Sequence, residues 1–254
     1  MSDASPQSPS PLAELVAIME RLRDPENGCA WDREQTFESI APYTIEEAYE
    51  VADAIARADL DALKDELGDL QLQVVYHSRI AEERGAFSID DVVRGICAKM
   101  VRRHPHIFGN QAESPGWETL KAVERDRRDD RSALAGVALA LPALKRAEKL
   151  QNRAARVGFD WPDADGPRRK IDEELDELDR AQGQDETSAE IGDLLFSVVN
   201  LCRHRGIDPE AALREASARF ERRFRKMETV ADKPMEDMDL TELESLWQRA
   251  KREV

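Results

Sequence analysis

The stretch "IEEAYEVADAIARADLDALKDELGDL", residues 45–70, reads as two amphipathic helices joined by a short turn, with Glu46, Glu47, Glu50, Glu66 and Asp69 set among the apolar positions. Residues three and four apart share a helix face, so Glu47 and Glu50 project together, as do Glu66 and Asp69. If the two helices pack antiparallel across the turn at 58–61, the four carboxylates converge. At close range they repel one another, and no Lys or Arg is spaced to neutralise them all. A hard divalent cation among oxygen ligands resolves the conflict. Mg²⁺, with Mn²⁺ as the alternative, suits such a set and is usually shared with substrate phosphates.

The same periodicity runs through residues 12–22, 92–101, 171–178, 191–201 and 211–224, with little strand-like alternation, so the chain is predicted to be all-α. Thr44 with Glu47, Ser88 with Asp91 and Thr187 with Glu190 match the pattern of a capping box, and Asp208-Pro209 matches an N-cap followed by proline. Gly85, Gly183 and Gly206 stand where helices should stop.

The chain also repeats itself. "ELGDLQLQVVYHSRI" from Glu66 answers "EIGDLLFSVVNLCRH" from Glu190, and "EEAYE" from Glu46 answers "EELDE" from Glu173. The offset is 127 residues at Glu47 and Glu174, 124 at Glu66 and Glu190, and 120 at Lys99 and Arg219. These values differ by loop-sized deletions, so the sequence is read as a tandem duplication. It divides into a disordered tail (1–11), a first repeat (12–109), a polar connector (110–135) and a second repeat (136–254). The second copy rebuilds the carboxylate set as Glu174, Glu177, Glu190 and Asp193.

Composition narrows the function. The 254 residues carry 53 acidic against 37 basic side chains, a net charge of -16, which disfavours nucleic acid and anionic membranes as partners. A phosphate-bearing ligand then needs metal ions or a few well-placed cations. The first twenty residues lack Lys and Arg, which argues against a signal peptide, and the longest apolar run, 134–144, contains Pro142 and is too short to span a bilayer. Cys29, Cys97 and Cys202 form no CxxC pair, as expected of a reduced, cytoplasmic protein. His104 and His106 lack an acid or Cys at ligand spacing and are read as part of a turn, Trp31 and Trp161 as packing residues.

A single EExxE motif is common on solvated helices, and a cap would account for Glu47 or Glu190 alone. It does not account for Glu50 and Asp69, nor for the recurrence of the whole set. That pairing of EExxE with ExxD, together with "RLRDPENGCAWDREQTFESIAPYTIEEAYEV" from Arg21, "EERGAFS" from Glu82 and "RRHPHIFG" from Arg102, closely resembles the MazG nucleoside triphosphate pyrophosphohydrolases over nearly all of 12–254. The resemblance implies tandem MazG-like helical bundles, a homodimer, and Mg²⁺-dependent hydrolysis of nucleoside triphosphates to the monophosphate and pyrophosphate. The metal ligands it implies are Glu47, Glu50, Glu66 and Asp69 in one copy and Glu174, Glu177, Glu190 and Asp193 in the other.

With no obvious covalent nucleophile in the chain, water is the expected attacker at the α-phosphorus, and Glu46 or Glu173 is the expected acceptor of its proton. Lys170 stands one turn before Glu174, and Arg219 and Arg223 share a helix face. By similarity to the family, these three contact the nucleotide, with Trp247 and Lys251 closing over base or phosphate. For Trp247, an anchoring role in the last helix fits equally well. Lys99 and Arg103 hold the equivalent basic places in the first copy, but Tyr43 stands where Lys170 does, so the second repeat is expected to be the main catalytic centre. The alternatives are a dUTP-specific or phosphoribosyl-ATP pyrophosphohydrolase of the same superfamily, and a non-catalytic, metal-stabilised interaction module.

Overall fold

The computed structural model describes residues 10–109, 130 and 132–253, which form helices and no strand. The chain divides into two compact units, Met1–Lys121 and Ala122–Val254. The expected tail and connector fall largely outside the described residues. Ser10 and Pro11, assigned to that tail, instead cap and begin the first helix: the Ala13 amide donates to Ser10 Oγ.

The first unit contains α1 (Pro11–Leu22), α2 (Ala30–Glu34), α3 (Phe37–Ala56), α4 (Leu60–Glu83), α5 (Ile89–Arg103) and α6 (Pro105–Phe108). α3 and α4 form a long hairpin, and α1 and α5 pack on α4. Its core is Met19, Ile40, Val75, Tyr76 and Ile80, with Leu15, Val16, Phe37 and Leu72 packed around it. Each fully buried aliphatic side chain there stabilises the unit by about 1.5–3 kcal/mol. The turn between α3 and α4 passes through Ala58 in the left-handed region (φ 54), and Asp59 caps α4 by accepting from the Ala62 amide.

The second unit repeats the plan with α7 (Ala143–Ala155), α8 (Asp165–Leu178), α9 (Gln184–His204) and α10 (Pro209–Val230). α8 pairs with α9, and α7 packs on α9 and α10. A final helix, α11 (Leu240–Glu253), packs on α10 and buries Leu246 and Ala250 against Met227. No helix among the described residues is long and apolar enough to cross a membrane.

Two helix starts differ from expectation. α3 begins at Phe37, where Thr36 and Ser39 form the capping box, and Thr44 lies mid-helix with its Oγ1 2.9 Å from His77 Nε2. Ile40 is buried at 2% exposure, and the helix runs on through Pro42, its sixth residue, which lacks the amide that would donate to the Glu38 carbonyl. α9 begins at Gln184, after Gly183 at φ 87, so Gly183 opens this helix rather than ending the previous one. The Thr187 hydroxyl donates to the Gly183 carbonyl, and Glu186, not Glu190, accepts from the preceding Gln182 amide. The Ser88–Asp91 box and the Asp208 cap form as expected, and Gly85 and Gly206 follow helix ends with positive φ.

Candidate metal and phosphate site

These shifted helix starts bear on the carboxylates. Glu47 lies deep in α3 and Glu190 two turns into α9, so neither is a cap. In the first unit, carboxylate oxygens of Glu47, Glu66 and Asp69 lie within 4.8 Å of one another. Burial, then the neighbouring Asp69 and Glu50, raise the Glu47 pKa above the usual carboxylate range. Burial and the charges of Glu50 and Asp69 raise that of Glu66. Glu50 thus adjoins the cluster. The closest described donor to Glu47 is the Gln73 amide, 3.5 Å away.

In the second unit the oxygens of Glu174, Glu177 and Glu190 come within 4.8 Å of one another. Glu190 is raised by burial and then by Glu177, Glu174 and Asp193, which puts Asp193 beside the same group. Glu174 is 3% exposed, unusual for a carboxylate. Its counter-charge is Lys170, whose Nζ lies 2.8 Å from Oε1 of both Glu173 and Glu174. These two bonds hold the Lys170 pKa above the ordinary lysine value.

The donor set fits a hard cation. Ligands about 2.1 Å from a central ion lie at most about 4.2 Å apart, so a small inward turn of these side chains closes the cluster. The oxygens are all anionic, two helices supply them, and the hairpin fixes their register. One ammonium group does not balance three or four carboxylates.

The other expected residues fall into separate groups. Glu173, 57% exposed, sits outside the three-oxygen set beside Lys170, and Glu46 is exposed. On the α10–α11 pair, the Arg223 guanidinium lies 5.9 Å and the Lys251 ammonium 5.8 Å from the Trp247 ring centroid. That ring packs against Phe220 at 5.4 Å, so Trp247 anchors the last helix while carrying two cations on it. Arg219 pairs loosely with Glu215 at 3.7 Å. No hydrogen bond, ion pair or ring contact among the described residues joins this group to Lys170. In the first unit Lys99 and Arg103 lie on α5. Asp160, Asn200, Arg203 and Gln151, which line a cavity in the second unit, had no signal in the sequence.

Comparison with known proteins agrees with this architecture. A model of the MazG nucleotide pyrophosphohydrolase domain matches residues 35–108, and one of phosphoribosyl-ATP pyrophosphohydrolase matches 145–220. The chain is 48% identical over 246 residues to the nucleoside triphosphate pyrophosphohydrolase/pyrophosphatase MazG of Thermotoga maritima, covering 94% of each chain. It is 47% identical over 256 residues to the nucleoside triphosphate pyrophosphohydrolase of Escherichia coli, covering 95% of this chain and 97% of that one. YabN of Bacillus subtilis is 43% identical over 248 residues, 92% of this chain and 50% of that protein.

Proposed function

The chain belongs to the MazG family of nucleoside triphosphate pyrophosphohydrolases, and from that premise we propose that it hydrolyses NTPs and dNTPs to the monophosphate and pyrophosphate in a Mg²⁺-dependent reaction centred on the second repeat. The observation that carries the proposal is the buried Glu174 with Glu177 and Glu190 around it and Lys170 as its counter-ion. Glu174, Glu177, Glu190 and Asp193 would hold the metal, with Glu47, Glu50, Glu66 and Asp69 as the corresponding set in the first repeat. When bound, the metal supplies charge neutralisation at the phosphates and lowers the pKa of the attacking water.

The chain's own groups do the rest. Lys170 is poised to exchange Glu174 for a substrate phosphate oxygen once Glu174 has another positive partner. Glu173, left outside the metal set, takes the water's proton as it attacks the α-phosphorus; Glu46 is its counterpart in the first repeat. Arg219, Arg223 and Lys251 neutralise the polyphosphate, with Trp247 beside them. Lys99 and Arg103 are the nearest equivalents in the first repeat, which has Tyr43 in place of Lys170.

Exposed apolar side chains on the same hairpins, Ile45, Tyr49 and Leu67 in one unit and Leu175, Ile191 and Leu195 in the other, support assembly as a homodimer. We place it in the cytoplasm as an enzyme of the nucleotide pool, and the net charge of -16 supports the reading that it has no nucleic-acid partner.

The match of residues 145–220 to phosphoribosyl-ATP pyrophosphohydrolase favours a second reading with the same bond cleaved in a different substrate. The test is to incubate full-length protein with NTPs, dNTPs, dUTP and phosphoribosyl-ATP, with Mg²⁺, Mn²⁺ or EDTA, and to resolve products by ion exchange. Monophosphate plus pyrophosphate, lost in EDTA and in Glu174→Gln but reduced little in Glu50→Gln, is the expected result. Orthophosphate as product would refute attack at the α-phosphorus. Metal-dependent stabilisation without turnover would indicate the interaction module instead.

A further inference from the structure

The face of α4 that carries Glu66 and Asp69 continues to Gln73, which follows them at helical spacing. Gln73 is 8% exposed, and its Nε2 donates to Glu47 Oε1 across 3.5 Å, the long limit of a hydrogen bond. Its Oε1 is buried with no partner among the described residues. A carboxamide taken out of water is ordinarily met at both ends, and leaving one end unmet is costly. This amide ends beside Glu47, one corner of the cluster in which oxygens of Glu47, Glu66 and Asp69 lie within 4.8 Å of one another.

The two units balance their carboxylates differently. In the second, Lys170 Nζ lies 2.8 Å from Glu174, and Ser197 stands where Gln73 does, at the offset that relates Glu66 to Glu190. In the first, Tyr43 takes the place of Lys170, and among the described residues no ion pair reaches Glu47, Glu50, Glu66 or Asp69. A cation entering the second unit has to displace an ammonium group from Glu174. One entering the first displaces only a long bond from a neutral amide. A half-turn of the terminal group exchanges the amide oxygen and NH₂. An oxygen in the place of Nε2 lies 3.5 Å from Glu47 Oε1, inside the span of about 4.2 Å open to two ligands of one ion.

We propose that Gln73 is a ligand of the divalent cation in the first unit, its carboxamide oxygen joining Glu47, Glu66 and Asp69, and that this site binds the cation more tightly than the second unit does. Carboxamide oxygens are ordinary ligands of hard cations. This one adds a ligand without adding to the repulsion among the carboxylates. The first unit then keeps its ion at metal concentrations at which the second, where Lys170 competes for Glu174, exchanges it. The inference rests on the metal reading of the first carboxylate set and fails separately from the proposed hydrolysis.

The test is a titration of the full-length protein with Mn²⁺, the free ion being counted by its electron paramagnetic resonance signal. Two classes of site per chain are expected. Glu174→Gln should remove the weaker class, and Gln73→Met should weaken the tighter one at least about tenfold. In D₂O, the Mn²⁺ bound at one equivalent should gain one coordinated water in Gln73→Met, a change that a merely structural role would not produce. Should that variant fail to fold, protein synthesised with glutamine alone carrying ¹³C at Cδ supplies the answer without it. Ligation puts the Gln73 carbon about 3 Å from the ion, and electron–nuclear double resonance reads the distance. No such carbon within about 4 Å, or a tighter class and water count unmoved in Gln73→Met, would overturn Gln73 as a ligand. Loss of the tighter class in Glu174→Gln would overturn the ranking of the two units, and no bound Mn²⁺ would refute the metal site itself. The expected binding pattern without turnover of any triphosphate would support the Gln73 site and refute the proposed reaction.

Discussion

Replacing Lys170 with methionine isolates the relation between the ammonium group and the metal. Lys170 Nζ lies 2.8 Å from Glu174, whose side chain is 4% exposed, while Lys170 itself is 37% exposed. Removing one partner of a buried ion pair costs about 3–5 kcal/mol, and solvent access to the lysine lowers this to about 1–3 kcal/mol. The second unit, 122–254, should then melt roughly 4–12 °C lower without metal.

Metal changes the comparison. At tenfold excess over its Kd, Mg²⁺ stabilises the unaltered protein by about 1.4 kcal/mol. In Lys170→Met it also takes over the balancing of Glu174, so the metal-induced rise in Tm should be larger and the deficit should shrink. Scanning calorimetry of both proteins in EDTA and in Mg²⁺ reads this directly. Glu173→Gln, which alters only an exposed partner, should cost less than about 0.5 kcal/mol. A deficit of equal size with and without Mg²⁺ would mean that Lys170 and metal do not share Glu174, and the proposed hand-over to substrate phosphate would fall with it.

Other expectations are simpler. Arg203 and His204 hold Asp160 at about 2, below the ordinary carboxylate value; its stabilisation is therefore present above the unfolded pKa and lost as pH falls through about 2. Asp160→Asn should destabilise the protein by about 1 kcal/mol at neutral pH after allowance for screening, and urea titrations of the two proteins should converge between about pH 4 and 2. Ala58→Gly should raise stability by up to about 1 kcal/mol, because φ 54 strains a residue with a Cβ; an unchanged or lower urea midpoint would show that the turn is not strained. Ile80→Ala, in the core of the first unit, should cost about 2–5 kcal/mol in the same assay, and a cost under 1 kcal/mol would show that this core collapses around the loss.

The helix pairs and carboxylate clusters were legible because they depend on spacing alone: apolar residues every three or four positions, acids three apart, and a duplicated pattern that chance does not explain. Helix starts were less so. Thr44 and Thr187 each have a glutamate three residues on, which satisfies the local rule, but burial of Ile40 extends α3 backwards and Gly183 opens α9 early. The error conceals part of the functional argument, since a Glu47 or Glu190 engaged in capping has an ordinary purpose and one deep in a helix does not.

Contacts between distant residues were not legible at all. Asp160 meets Arg203 across 43 positions, and only that contact fixes which end of the Asn200 amide is free. Gln151 reads as an unremarkable helix residue until the Phe196 carbonyl, 45 positions away, claims its NH₂. Lys170 lies between these cases: its spacing from Glu174 was plain, but the sequence suggested a phosphate partner where the fold places a carboxylate. The two are compatible if one positive charge holds Glu174 until another replaces it. In that case, an acidic protein keeps its phosphate-binding cation close to the carboxylates and away from bulk anions, and occupation of the metal site releases it.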